Sequence, residues 1–128
     1  MLRRILPLVL LLLPGTGCHH GSGAAEASDL AEESAAITIR VVNHSQLDAT
    51  IFLSHDGVRD RLGTVSAATG GAFTVRRRTL AAGDFTLLAD PLGSTRVASS
   101  ERLAAALGTL FVWTLESDFA HNSVQVQD

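Results

Sequence analysis

The chain has 128 residues with 10 Arg, no Lys, 13 Asp plus Glu and five His, and its hydrophobic content is 46%. That is enough for one domain. With 18% charged and 5% aromatic residues and a formal net charge of -3, the composition excludes both a charge-driven disordered chain and a basic nucleic-acid binder. Without residues 1–17, which carry two of the ten Arg and no acid, 8 Arg face 13 acids, about -5. Such a balance gives no reason to approach a polyanion, and nucleic acid is not an expected partner.

In chain order, the first pattern is Arg3-Arg4, then Ile5 to Leu13 with Pro7 as the one non-aliphatic member, then Pro14-Gly15-Thr16-Gly17. A charged start, a short apolar core and a small-residue break are the parts of an export signal. Nine helical residues reach about 14 Å, half of a bilayer core, so this is not a spanning helix. The only cysteine, Cys18, follows directly.

The stretch Gly15-Thr16-Gly17-Cys18 resembles the lipobox of bacterial lipoproteins, with Gly15 standing where that family usually has an aliphatic residue. The resemblance covers residues 1–18. It implies a diacylglyceryl group on the Cys18 thiol, cleavage before Cys18 and often acylation of the new amine, hence a membrane held through lipid. Two or three acyl chains make release slow. His19 is not the Asp that retains such proteins in the inner membrane of enteric bacteria, so the resemblance implies a cell-envelope protein on the outer membrane, facing the periplasm. As a whole, the chain resembles the small uncharacterised β-sandwich lipoproteins of GC-rich bacteria.

Residues 18–36 are small and acidic, with Leu30 as their one large apolar residue. They read as a flexible tether about 22–26 Å in mean extent. His19-His20 reads as a hydrophilic start to it, because two adjacent His without a third ligand make a weak metal site.

From Ile37 the hydrophobic period becomes two. Ile37, Ile39 and Val41 mark a first strand, Asn43-His44-Ser45-Gln46 a turn, and Leu47, Ala49, Ile51 and Leu53 a second strand. Asp56-Gly57 predicts a type I′ hairpin turn. The return strand is Val58–Val65, with Leu62 as its clearest core residue. Ala68 to Gly71 turns into a strand marked by Phe73 and Val75, and Ala82-Gly83-Asp84 into Phe85–Ala89; Asp90-Pro91-Leu92-Gly93 reads as a loop, since Pro is costly inside a central strand.

Propensity alone makes a short helix of Ser100–Leu107. The regular spacing of strands favours two short strands instead, Thr95–Ala98 and Arg102–Ala105. Leu110–Leu115, apolar on both faces, is expected to be central, and Val124 and Val126 mark the last strand. The expectation for 37–128 is all-β, a two-layer antiparallel β-sandwich with an immunoglobulin-like or transthyretin-like outline, a small barrel being the alternative.

Chemistry in this domain is sparse. Ser54-His55-Asp56 holds the residue types of a hydrolase triad, but neighbours on a strand point to opposite faces. His44, His55 and His121, with Asp48, Asp56 and Asp118 nearby in sequence, offer a three-ligand metal site only if their loops cluster; surface histidines are the plainer reading. Arg76-Arg77-Arg78 is the one basic run, a candidate anion-binding strand that Arg59 and Arg61 could join, although a charged edge that discourages aggregation is the more frequent meaning of such a run. Gly70-Gly71 lacks the helix and Lys of a phosphate loop, and Trp113 is expected in the core. The reading is a non-enzymatic, cofactor-free envelope module that meets an envelope protein or anionic glycan; an exported metal-binding protein using the loop histidines is the alternative.

Overall fold

The computed structural model describes residues 36–76, 79–80, 83–106 and 108–128. Among the described residues nine strands run β1 (Ala36–Asn43), β2 (Ala49–His55), β3 (Val58–Val65), β4 (Gly70–Arg76), β5 (Asp84–Pro91), β6 (Ala98–Ser99), β7 (Leu103–Ala104), β8 (Leu110–Leu115) and β9 (Asn122–Gln127). They form two sheets packed face to face, a β-sandwich, with no α-helix among the described residues. One sheet is ordered β4-β1-β8-β9 and the other β3-β2-β5-β6, with β7 also on β5. The Cys18 expectation and all of the expected tether except Ala36, which instead opens β1, lie outside the described residues. Among those described, no helix is long and apolar enough to cross a membrane.

Period-two patterning builds the core. Ile37, Ile39 and Val41 of β1 and Phe111, Trp113 and Leu115 of β8 face Ala49, Ile51 and Leu53 of β2 and Phe85, Leu87 and Ala89 of β5, all buried. Phe85 and Phe111 meet edge to face between the sheets, centroids 5.3 Å apart and planes at 86°, the geometry their ring quadrupoles favour. Trp113 is fully buried, and its indole N–H donates to Asn122 Oδ1 at 2.9 Å.

The structure departs from the expectations at five points. The ladders are not all antiparallel: β1 and β8 run parallel through Thr38↔Leu110 to Asn43↔Leu115, because the long excursion through β2–β7 returns β8 in the direction of β1. The two short strands expected in place of a helix are present, β7 inside Arg102–Ala105, but β6 runs Ala98–Ser99 rather than Thr95–Ala98. Leu62 is only half-buried, since a bulge opposite Ile51 and Phe52 makes it the extra residue of β3.

Pro91 ends β5 instead of opening a loop. The Leu92 N–H donates to the Asp48 carbonyl, so in the alternating antiparallel ladder the Ala49↔Pro91 pair is a non-hydrogen-bonded one. The missing N–H of Pro91 therefore points away from β2. On that other side β6 reaches only Leu88 and Ala89, and no ladder bond is lost.

Asn43, expected in a turn, is instead the last residue of β1 and fully buried. Its Nδ2 donates to the carbonyl of Leu47 at 2.8 Å, and lies 3.4 and 3.3 Å from those of Val65 and Ser66. Its Oδ1 accepts from the Ser45 N–H at 3.0 Å. A buried amide satisfied at both ends substitutes for a ladder where the chain crosses between sheets.

Candidate functional site

β2 runs from Ala49 to His55 and β5 is antiparallel to it, which brings the β2–β3 turn, the start of β5 and the β7–β8 connection to one end of the sandwich. A polar cleft of about 350 Å³ opens there, lined by Ser54, His55, Asp56, Asp84, Thr86 and Arg102 among others. Its volume falls in the range of small-ligand sites, although its walls are charged rather than apolar.

Local sequence explains each side chain's place. Asp56 and Gly57 have φ of 47° and 77°, the left-handed pair a type I′ turn requires. That turn sets His55 opposite Val58, Ser54 opposite Arg59 and Leu53 opposite Asp60. Leu53 faces the core, so Asp60 is aimed inward beside His55, a diagonal neighbour across the hairpin. Ser54 faces outward, next to Thr86 of β5. Arg102 is exposed between β6 and β7. Ser100 anchors that segment: its Oγ accepts from the Leu87 N–H at 2.9 Å and its own N–H donates to the Leu87 carbonyl.

The imidazole of His55 is the electrostatic centre. Nε2 lies 2.9 Å from Asp60 Oδ2 and Nδ1 3.6 Å from Asp56 Oδ2, with only 11% of the side chain exposed. Nδ1 is buried and lacks a partner at hydrogen-bond geometry. The hydrogen bond to Asp60 raises the His55 pKa above its ordinary value, against a smaller opposing effect of burial and with further help from Asp56. Both ring nitrogens thus face carboxylates, and Ser54 stands on the other face of the strand. No proton relay to the Ser54 hydroxyl exists in this arrangement.

The other predicted residues are dispersed. His44 and His121 sit at the opposite end of the sandwich from His55, because β1 ends and β9 begins there. His44 Nδ1 lies 3.4 Å from Glu116 Oε2, and His121 Nδ1 lies 2.8 Å from Asp118 Oδ2. The three histidines therefore do not form one site, and among the described residues no three potential metal ligands converge. The bond from His121 lowers the Asp118 pKa, helped by the backbone N–H groups of His121 and Ala120.

Arg76 is exposed at the end of β4; Arg77 and Arg78 lie outside the described residues. Arg76 follows the inward Val75 and so faces out from the β4-β1-β8-β9 sheet. Arg59 and Arg61, paired with the outward Ser54 and Phe52, face out from the other sheet. Arg59 covers the Phe52 ring at 5.6 Å, and Arg61 donates to Thr64 Oγ1 at 3.1 Å. These two do not extend an Arg76 patch.

Sequence reasoning missed Asp60, Asp84, Thr86 and Arg102. Asp60 was within reach of it, since a two-residue Asp56-Gly57 turn fixes the register that puts it beside His55. Asp84 and Arg102 depend on how β5 and the β6–β7 segment meet the hairpin, which no local pattern encodes.

No family model matches the chain, and no curated protein does. Solved structures that match include an NMR structure of a protein from Eubacterium rectale, 16% identical, covering 76% of this chain and 89% of that one, with a TM-score of 0.43.

Proposed function

We propose that the protein is a lipid-anchored component of a bacterial cell envelope, held through Cys18 on the outer membrane and facing the periplasm, whose β-sandwich is a non-catalytic binding or structural module. The observation that carries the anchor is the only cysteine of the chain placed directly after Arg3-Arg4, the aliphatic run to Leu13 and the small residues Gly15-Thr16-Gly17. A lipidated thiol is blocked, whereas a lone exported thiol stays reactive.

A binding role for the domain is supported by the cleft around His55. Its lining sets two carboxylates (Asp56 and Asp84) against the cations Arg102 and, when protonated, His55, with the hydroxyls of Ser54 and Thr86 beside them. Mixed donors and acceptors without a surplus of cations suit a hydroxyl-rich or zwitterionic partner better than a polyanion. A non-catalytic role is supported by His55 being engaged with Asp60 and turned away from Ser54.

Fractionation of the Cys18→Ala protein tests the anchor. The variant moves to the soluble fraction or accumulates as uncleaved precursor. A mature, membrane-bound variant indistinguishable from wild type refutes the reading.

A further inference from the structure

Each sheet of a sandwich ends in two edge strands whose outward N–H and C=O groups can template another strand. Three of the four edges here are protected. β3 carries Arg59, Asp60 and Arg61 and the bulge at Leu62. β4 opens on Gly70-Gly71, poor strand formers, and ends in Arg76. β6 and β7 are two residues each. β9 is different: Asn122–Gln127 is six residues without Pro, Gly or charge, in unbroken register with β8.

The ladder fixes which groups β9 leaves free. Glu116 N–H donates to the His121 carbonyl, so the alternation turns the backbone groups of Ser123, Gln125 and Gln127 toward β8. Those of Asn122, Val124 and Val126 point to the open edge. The side chains of Val124 and Val126, opposite the core residues Trp113 and Phe111, face inward. The short β6 does not cover them fully, and Val126 is 56% exposed.

We infer that β9 is a homodimerisation edge, on which two copies pair their β9 strands antiparallel about a twofold axis at Gln125 and join two four-stranded sheets into one of eight. This register sets Val124 of each copy opposite Val126 of the other as a hydrogen-bonded pair, using the backbone groups the fold leaves free and extending the inner apolar layer. Gln125 meets its own copy at a non-hydrogen-bonded position, Ser123 meets Gln127, and Asp128 meets the uncharged Asn122. A second copy is favoured over an unrelated strand because the edge is its own complement: the valine pair forms twice, and no like charges oppose each other. The pairing does not depend on lipid at Cys18.

Native mass spectrometry of the full chain in mild detergent, at about 20 μM, tests the pairing on a scale where strand-edge contacts register. The expected species is two chains. Val126→Pro removes one free-edge donor per copy while leaving the bonds to β8, and weakens dimerisation at least about tenfold with Trp113 emission unchanged. Gln125→Lys, at an exposed position, sets two cations face to face and weakens it several-fold. Under mild oxidant, Gln125→Cys gives a covalent dimer that neither the parent chain nor Ser123→Cys gives. A single-chain mass, a mass that includes a different protein, a dimer undiminished by both substitutions, or cross-linking through Ser123→Cys instead would each overturn the inference.

Discussion

His55 Nε2 lies 2.9 Å from Asp60 Oδ2, across a hairpin whose two-residue turn makes them diagonal neighbours. Because this contact raises the folded-state pKa of His55 above 6.5, its stabilisation is fully present below about pH 6.5, the unfolded value, and is lost as pH rises through the folded value. The urea midpoint of the wild type therefore falls across that window. Asp60→Asn flattens the fall and His55→Gln abolishes it, as a pH series of denaturation curves will read. Parallel profiles for all three proteins would remove His55 as their source.

Asn43 closes the opposite end. Replacing it with Ala leaves the buried Ser45 N–H without its acceptor, while the Leu47 carbonyl keeps the Ser45 hydroxyl, at a cost of about 1–3 kcal/mol. Equilibrium denaturation followed by Trp113 emission measures it. A cost below about 1 kcal/mol would mean that water replaces the amide.

The Trp113 indole has one polar atom, bonded to Asn122 Oδ1 at 2.9 Å. Asn122→Leu orphans that N–H and destabilises the fold by about 1–3 kcal/mol. Trp113→Phe in the Asn122→Leu background then costs less than in the wild type. A full double-mutant cycle checks this coupling; additive losses would contradict it.

Gly63 is required by packing. A Cβ there would stand 2.7 Å from Phe73 Cε1, so Gly63→Ala forces the ring aside and costs about 1–2 kcal/mol. Phe73→Leu shortens the side chain and recovers part of that loss. Thermal unfolding of the two single variants and the double resolves the effect.

The core was legible where apolar residues alternate, as at Ile37, Ile39 and Val41, and where turn chemistry is specific, as at Asp56-Gly57. It was misread where a tertiary feature interrupts the period. Leu62 alternates as a core residue should, yet a bulge displaces it. Pro91 violates a rule for central strands that applies only to N–H groups facing a partner, and its neighbour β6 is too short to be one. Asn43 looks like a turn former because its amide replaces backbone partners, and the same property lets it end a strand in the core. For the cleft, the sequence singled out His55 but grouped it with His44 and His121, which strand direction places at the far end. The parallel β1–β8 pairing that fixes those ends joins residues about 72 positions apart, beyond what any window of sequence reports.

The most direct test of the lipid-anchored reading is the intact denatured mass of the mature protein extracted from membranes of its own host. The account predicts residues 18–128 plus the mass of two or three acyl chains on Cys18. A membrane-derived chain beginning elsewhere, or one whose Cys18 is a free thiol, would contradict it.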